Sequence, residues 1–166
     1  SIQKKVEKSR ATMLIGQLER AIDNFETEYN HLPYIGAAYP GVDQVLVGET
    51  ANDVSDLMTV LVGEGTNCNF KKITFFEWDE PKGGPGNYKD GLLISGGRAT
   101  LYSPWGWEYQ RMRLDYTADG EMPYPYDGSK TVYGKKMIIW DTGSDGLWYT
   151  FGGTVDDDVH NFEGPD

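Results

Sequence analysis

Apolar side chains recur at steps of three and four over Leu14, Leu18, Ala21, Ile22, Phe25 and Tyr29, which places them on one stripe of an amphipathic helix. Glu19, Arg20, Asp23, Asn24, Glu26 and Thr27 fall largely on the other side. Pro33 stops this helix, and Asn30-His31-Leu32 is its exit. Residues 1–10 are polar except for Ile2 and Val6, a solvated lead-in that suits a stalk emerging from a longer element. Residues 34–49, rich in Gly, Ala, Tyr and Pro, read as loop. Val54, Leu57, Met58, Leu61 and Val62 then predict a second, shorter helix. Thr50 and Asp53 resemble a capping box at its start, and Gly63 and Gly65 end it.

Beyond Gly65 the period changes to two. "KITFFEW" (72–78) predicts a strand, "EPKGGPGNYKDG" (80–91) a turn-rich insertion, and "LLISGGRATLY" (92–102) two short strands around a Gly-Gly turn. "WGWEYQRMRLDY" (105–116) and "KKMIIWD" (135–141) are the strongest strand candidates, being aromatic and β-branched rich. The Pro/Gly-rich connection between them, 117–134, reads as a long loop. No internal repeat is visible. The expected fold class is α+β, one long N-terminal helix laid across a small antiparallel sheet. The whole chain, 1–166, is expected to form a single domain. Its parts are a helical stalk over 1–33, a variable region over 34–101, and a sheet with a C-terminal loop over 102–166.

Charge sharpens this picture. The net charge is −11, but it is unevenly placed. Lys4, Lys5, Lys8, Arg10 and Arg20 outweigh Glu7 and Glu19 in the first twenty residues, whereas residues 141–166 hold seven carboxylates and no Lys or Arg. No nucleic-acid partner is expected, because a phosphate-binding surface needs clustered cations across the chain. The single cysteine, Cys68, rules out an internal disulfide and a cysteine-based zinc site, and reads as a small buried hydrophobe.

Two chemistries compete for the stretch "IIWDTGSDG" (138–146). Asp141-Thr142-Gly143-Ser144 matches the catalytic turn of an aspartic protease. That chemistry needs two carboxylates sharing one proton, however, and the chain holds one such motif, so Asp141 would act only in a dimer. The same region is also half of a calcium loop. Asp145 sits between two glycines, and "GGTVDDDVHNFE" adds Asp156, Asp157 and Asp158. A hard cation wants six to eight oxygens at about 2.3–2.6 Å, and binding one would cancel the repulsion that opposes closing this loop. Val159 and Phe162 are the expected anchors of the returning tail. A rival acidic turn, "DYTADG" (115–120), copies the start of an EF-hand with Asp115, Thr117 and Asp119. Its twelfth position is Tyr126 instead of Glu, so it reads as a hairpin turn. His31 and His160 have no metal-ligand or catalytic spacing, and no enzymatic activity is expected.

Three ordered stretches carry a family resemblance. "LIGQLERAIDNFETEYNHLP" (14–33), "YSPWGWEYQRMRLDY" (102–116) and "IIWDTGSDG…GGTVDDDVHNFE" (138–163) together resemble the soluble domain of the G-type, major pseudopilins of type II secretion systems, within the type IV pilin-like family. Ser103 stands where that pattern has Asp before Pro-Trp-Gly, and Phe162 where it has Trp. The resemblance implies a pilin-like fold whose missing N-terminal half-helix is an apolar membrane anchor, cleaved and methylated by a prepilin peptidase. It implies a subunit anchored in the inner membrane with its domain in the periplasm. There it would assemble with like subunits, other pseudopilins and inner-membrane secretion components into a filament that exports folded proteins. It also implies bound Ca2+ held by the Thr142 carbonyl and by Asp145, Asp156 and Asp158. The alternatives left open are a secreted calcium-dependent carbohydrate-binding module using exposed Tyr and Trp, and the dimeric protease.

Overall fold

The computed structural model describes residues 2–46, 51–65, 68–106, 111–125, 127–141, 143 and 159–161. Helix α1 runs Ile2–Tyr29, 28 residues, or about 42 Å at 1.5 Å per residue. It therefore includes the polar lead-in. Its buried stripe is Ala11, Leu14, Ile15, Leu18, Ala21, Ile22 and Phe25, which adds Ala11 and Ile15 to the predicted positions, while Tyr29, the last of those predicted, is only partly buried against the core. Asn30 ends it with φ +62°, its N–H donating to Glu26 O at 2.8 Å, as a left-handed C-terminal cap does.

Short strand β1 (Gln44–Leu46) precedes α2 (Ala51–Leu61). β1 corrects the expectation of a loop through 34–49. Thr50 and the Asp53 side chain lie outside the described residues. Gly63, at φ +83°, ends α2; a Cβ there would stand 2.9 Å from Lys72 O.

The expected strand at 72–78 is not one. Phe75 N and Phe76 N both donate to Leu61 O (2.8 and 3.1 Å), and Thr74 Oγ1 donates to Val62 O. The segment spends its donors on carbonyls that the end of α2 leaves without helical partners, so it joins no ladder.

β2 (Gly91–Ser95) and β3 (Arg98–Tyr102) form the predicted hairpin around Gly96-Gly97. Its docking on α2 uses hydroxyls in place of a strand. Ser55 Oγ donates to Ala99 O, and Ala99 N donates to Thr59 Oγ1 at 3.0 Å. Gly91 admits no side chain, since a Cβ would lie 2.2 Å from the Pro81 backbone where the 79–90 loop crosses.

β4 (Arg111–Leu114), β5 (Glu121–Tyr124), β6 (Asp127–Tyr133), β7 (Met137–Asp141) and β8 (Val159–His160) follow. Among the described residues one sheet has the order β1-β4-β7-β8, and β5-β6 forms a separate antiparallel pair. That pair corrects the expectation of a loop over 117–134. Central strand β7 is buried at all five positions, and its alternation separates two cores. Met137 and Ile139 join the large cluster with α1, α2, Met112 and Leu114. Ile138 and Trp140 face the other way, against Met122 and Val132 of the β5–β6 hairpin. The architecture is thus α+β, a long N-terminal helix on small antiparallel sheets.

The tail returns onto this sheet by backbone pairing, while the Val159 side chain, an expected anchor, lies outside the described residues. Asp141 pairs with Val159 and Trp140 with His160, and the Asn161 side chain extends the ladder by accepting from Ile139 N at 2.8 Å. Phe162 lies outside the described residues.

Candidate functional site

β4 runs directly into the acidic turn Asp115–Gly120. Its chain reversal needs the left-handed region at Ala118 (φ +56°) and Gly120 (φ +74°). The antiparallel register pairs Gln44 with Leu114, so the next step along each strand sets Asp43 beside Asp115. Asp43, Asp115 and Asp119 each place a carboxylate oxygen within 4.8 Å of the other two. Asp115 is buried, at 6% exposure, while Asp119 is exposed. The turn joins β4 to β5, which belong to different sheets, so it is a turn but not that of a hairpin.

The turn is held by its own acids. Gly120 N donates to Asp115 Oδ2 at 2.8 Å, Thr117 N to Asp43 Oδ1 at 3.0 Å, and Glu121 N to Asp119 Oδ1 at 3.0 Å. The Glu121 amide holds the Asp119 carboxyl below its ordinary range, helped by Thr117 and Asp115. Thr117 Oγ1 lies 3.1 Å from both Asp43 Oδ1 and Asp115 Oδ1. A hydroxyl has one proton, so Thr117 can give neither of these two contacts a full hydrogen bond while serving both. Three carboxylates in this geometry could coordinate a metal ion. Arg113 tempers the negative field. Burial lowers its affinity for a proton, and the charge of Asp43 opposes that effect. Beneath the turn, Tyr116 Oη donates to Pro33 O at 2.8 Å, tying the turn to the exit of α1. Burial pushes the Tyr116 phenol well above its ordinary value.

Of the residues expected from sequence to hold calcium, Thr142, Asp145, Asp156 and Asp158 all lie outside the described residues, as do Asp157 and Tyr126. Their flanks are described: the Asp141–Val159 pair brings together the two ends of segment 142–158. Asp141 is 2% exposed and accepts from Gly143 N at 3.1 Å, closing a tight turn at the end of β7. Cys68 is buried, donates to Tyr34 O, and has its thiol pushed up by burial. It behaves as the small core residue expected. Trp105 packs on the main core, and Trp107 lies outside the described residues.

The aromatic residues nearest the α1 exit are engaged with one another. His31, Tyr34, Tyr39 and Tyr116 meet at centroid distances of 5.4–5.8 Å and steep angles. Rings in edge-to-face contact present edges more than a flat stacking face.

Asp43 is the member of the acidic cluster that sequence reasoning missed. It sits 72 positions before Asp115, and only the β1–β4 register connects them. No protein-family model, curated protein or solved structure matches this chain.

Proposed function

We propose that this chain is a structural filament subunit of the pilin-like kind, the soluble domain of a G-type pseudopilin, with no catalytic role. The observation that carries this reading is α1. Its buried stripe begins at Ala11, while Ile2 and Val6 are 83% and 50% exposed, so the first two to three turns lie ahead of the core that holds the rest. In this reading those turns continue an apolar membrane segment, subunits stack through their helices, and the sheets face outward. The domain is periplasmic, anchored at the inner membrane.

Chemical cross-linking in the cell of origin tests this reading. A ladder of multimers in the inner-membrane fraction, with the domain open to protease from the periplasmic side, is the expected result. Recovery only as a free secreted monomer would overturn it and favour the carbohydrate-binding alternative.

In the same reading calcium pins the C-terminal loop through Thr142, Asp145, Asp156 and Asp158. A cation that binds only the native state stabilises it by mass action, about 2.7 kcal/mol at a hundredfold excess over Kd. The melting temperature should therefore rise with calcium and fall with chelator. That gain should vanish in Asp145→Ala and persist in Asp115→Asn. The reverse pattern would assign the ion to Asp43, Asp115 and Asp119. Equal melting with calcium and with chelator would remove calcium from the reading.

A further inference from the structure

Three of the eight large apolar side chains exposed among the described residues, Tyr39, Val42 and Phe70, lie around the exit of α1. Ring contacts join two of them into one strip. Phe70 meets Tyr29 at 5.2 Å between centroids, Tyr29 meets His31 at 6.0 Å, His31 meets Tyr39 at 5.8 Å, and Tyr39 meets Tyr116 at 5.4 Å. Phe70, at one end, is 69% exposed, on a turn closed by Lys72 N donating to Asn69 O at 3.0 Å. The two ends of the strip differ in charge. Lys71 and Lys72 follow Phe70. Lys71 is paired with Glu28, while Lys72 is exposed and, among the described residues, in no ion pair. At the other end Asp115 adjoins Tyr116, and Asp43 and Asp119 complete the acidic triad. Arg113 offsets part of that charge. Asp119 is exposed and, among the described residues, also in no ion pair.

We propose that this strip is the contact between two copies of the chain, related by a two-fold axis that crosses it between its ends. Such an axis lays Lys72 of each copy against Asp119 of the other, with the rings of Phe70 and Tyr39 between the two junctions. A two-fold contact requires a surface that is its own complement, and an aromatic centre between rims of opposite sign meets that requirement. Projecting ring edges suit this occupant too, because they pack on the faces of other aromatic rings. The net charge of −11 opposes the approach of two copies, so the dimer is weak and its formation rests on these local contacts. The inference goes beyond the filament reading. A closed two-fold contact stops at a dimer, whereas a cross-linked ladder needs an open one, so either result can fail without the other.

Sedimentation velocity over a concentration series tests it, with chelator present so that no cation bridges the carboxylates. The expected result is a reversible equilibrium between monomer and dimer. Phe70→Ala should weaken it roughly tenfold or more, as loss of a central aromatic anchor does. Tyr133→Ala, which removes a ring of nearly equal exposure (68%) on β6, should leave it unchanged. Lys72→Glu and Asp119→Lys should each weaken self-association by at least about tenfold, because like charges then meet at both junctions. An equimolar mixture of these two variants should recover a heterodimer close to parental strength, since both of its junctions again pair opposite charges. Melting curves of the variants should match the parent; should Asp119→Lys melt lower, Phe70→Ala and Lys72→Glu decide alone. Parental dimerisation in Phe70→Ala and Lys72→Glu, equal weakening by Tyr133→Ala, or two folded charge variants that stay monomeric when mixed would each overturn the proposal. A monomer at every concentration would overturn it as well, and would leave the strip to a partner of different chemistry.

Discussion

Asn69→Leu should lower the stability of the domain by about 4 kcal/mol, because it leaves several buried polar groups without partners at about 1–3 kcal/mol each. Asn69 is fully buried, and its amide is used to capacity. Nδ2 donates to Val60 O at 2.7 Å and to Ile73 O at 2.8 Å. Oδ1 accepts from Tyr29 Oη at 2.6 Å and from Ile73 N at 3.1 Å. One side chain thus joins the end of α1, the last turns of α2 and the segment that follows. An amide has two donors and an acceptor with two lone pairs, so no other residue of similar size reproduces this set. For a chain of this length a loss of about 4 kcal/mol corresponds to a fall in Tm of roughly 8–16 °C, readable by circular dichroism. A fall of less than about 3 °C would mean that the neighbours find water or one another, and that the hub is not structural.

Asn69→Asp refines the test through pH. The new carboxylate would face the carbonyls of Val60 and Ile73, so burial and those dipoles raise its folded-state pKa above the unfolded value near 3.9. A group raised in this way has its full stability below the unfolded pKa and loses it as pH rises through the folded one. The variant should therefore lie closer to the parent at pH 4.5 than at pH 7.5. Equal destabilisation at both values would contradict the assigned contacts.

Asp90→Asn should lower stability by about 3 kcal/mol, the low end for breaking one side of a buried ion pair. Asp90 is 5% exposed. It takes Arg10 Nε at 3.2 Å and Arg10 Nη2 at 3.2 Å, with Lys82 Nζ at 3.3 Å. Arg10 in turn lies over the Trp78 ring, 4.5 Å from its centroid. Removing the charge leaves a partly buried guanidinium with only Asp79, which is largely exposed. Asparagine is the informative replacement, since position 90 has φ +53° and asparagine tolerates that region where alanine is strained. The loss should be concentrated in the 79–90 loop. Hydrogen exchange should quicken at Lys82, Lys89 and Leu92, whose amides hold that loop closed, before it quickens in α1. Uniform acceleration across the domain would instead make Asp90 part of the global core.

Contrast this with the ion pairs of Lys136. It reaches Glu26 at 2.7 Å and Asp23 at 3.8 Å, but all three side chains are substantially exposed. Solvent screening limits such pairs to about 0–1 kcal/mol. Burial, more than distance, separates the two cases.

The chain's periodicity carried much of the fold. The spacing Leu14–Phe25 named the buried stripe of α1, Val54–Leu61 that of α2, and Gly96-Gly97 the turn between β2 and β3. Each of these is local: side chains three or four apart share a helix face, and a pair of glycines permits a tight reversal. "KITFFEW" misled because alternation reports which side chains are buried, not what the backbone bonds to. Its Phe76 is buried as a strand residue would be, yet its amides serve α2. The β5–β6 hairpin was hidden by Pro123 and Pro125 and by a strand exposed at nearly every position but Val132, which leaves almost no alternating signal.

The acidic turn shows the same division most clearly. Sequence alone determined that Asp115, Thr117 and Asp119 form a turn, because short-range side-chain-to-backbone hydrogen bonds favour it wherever it sits. Tertiary structure decided that Asp43 completes the cluster, that Asn69 binds two helices together, and that Arg10 finds Asp90 eighty residues away. The reason is physical. Local preferences act between neighbours along the chain, whereas partners far apart in sequence meet only when burial of the core has set the strand register and the helix position.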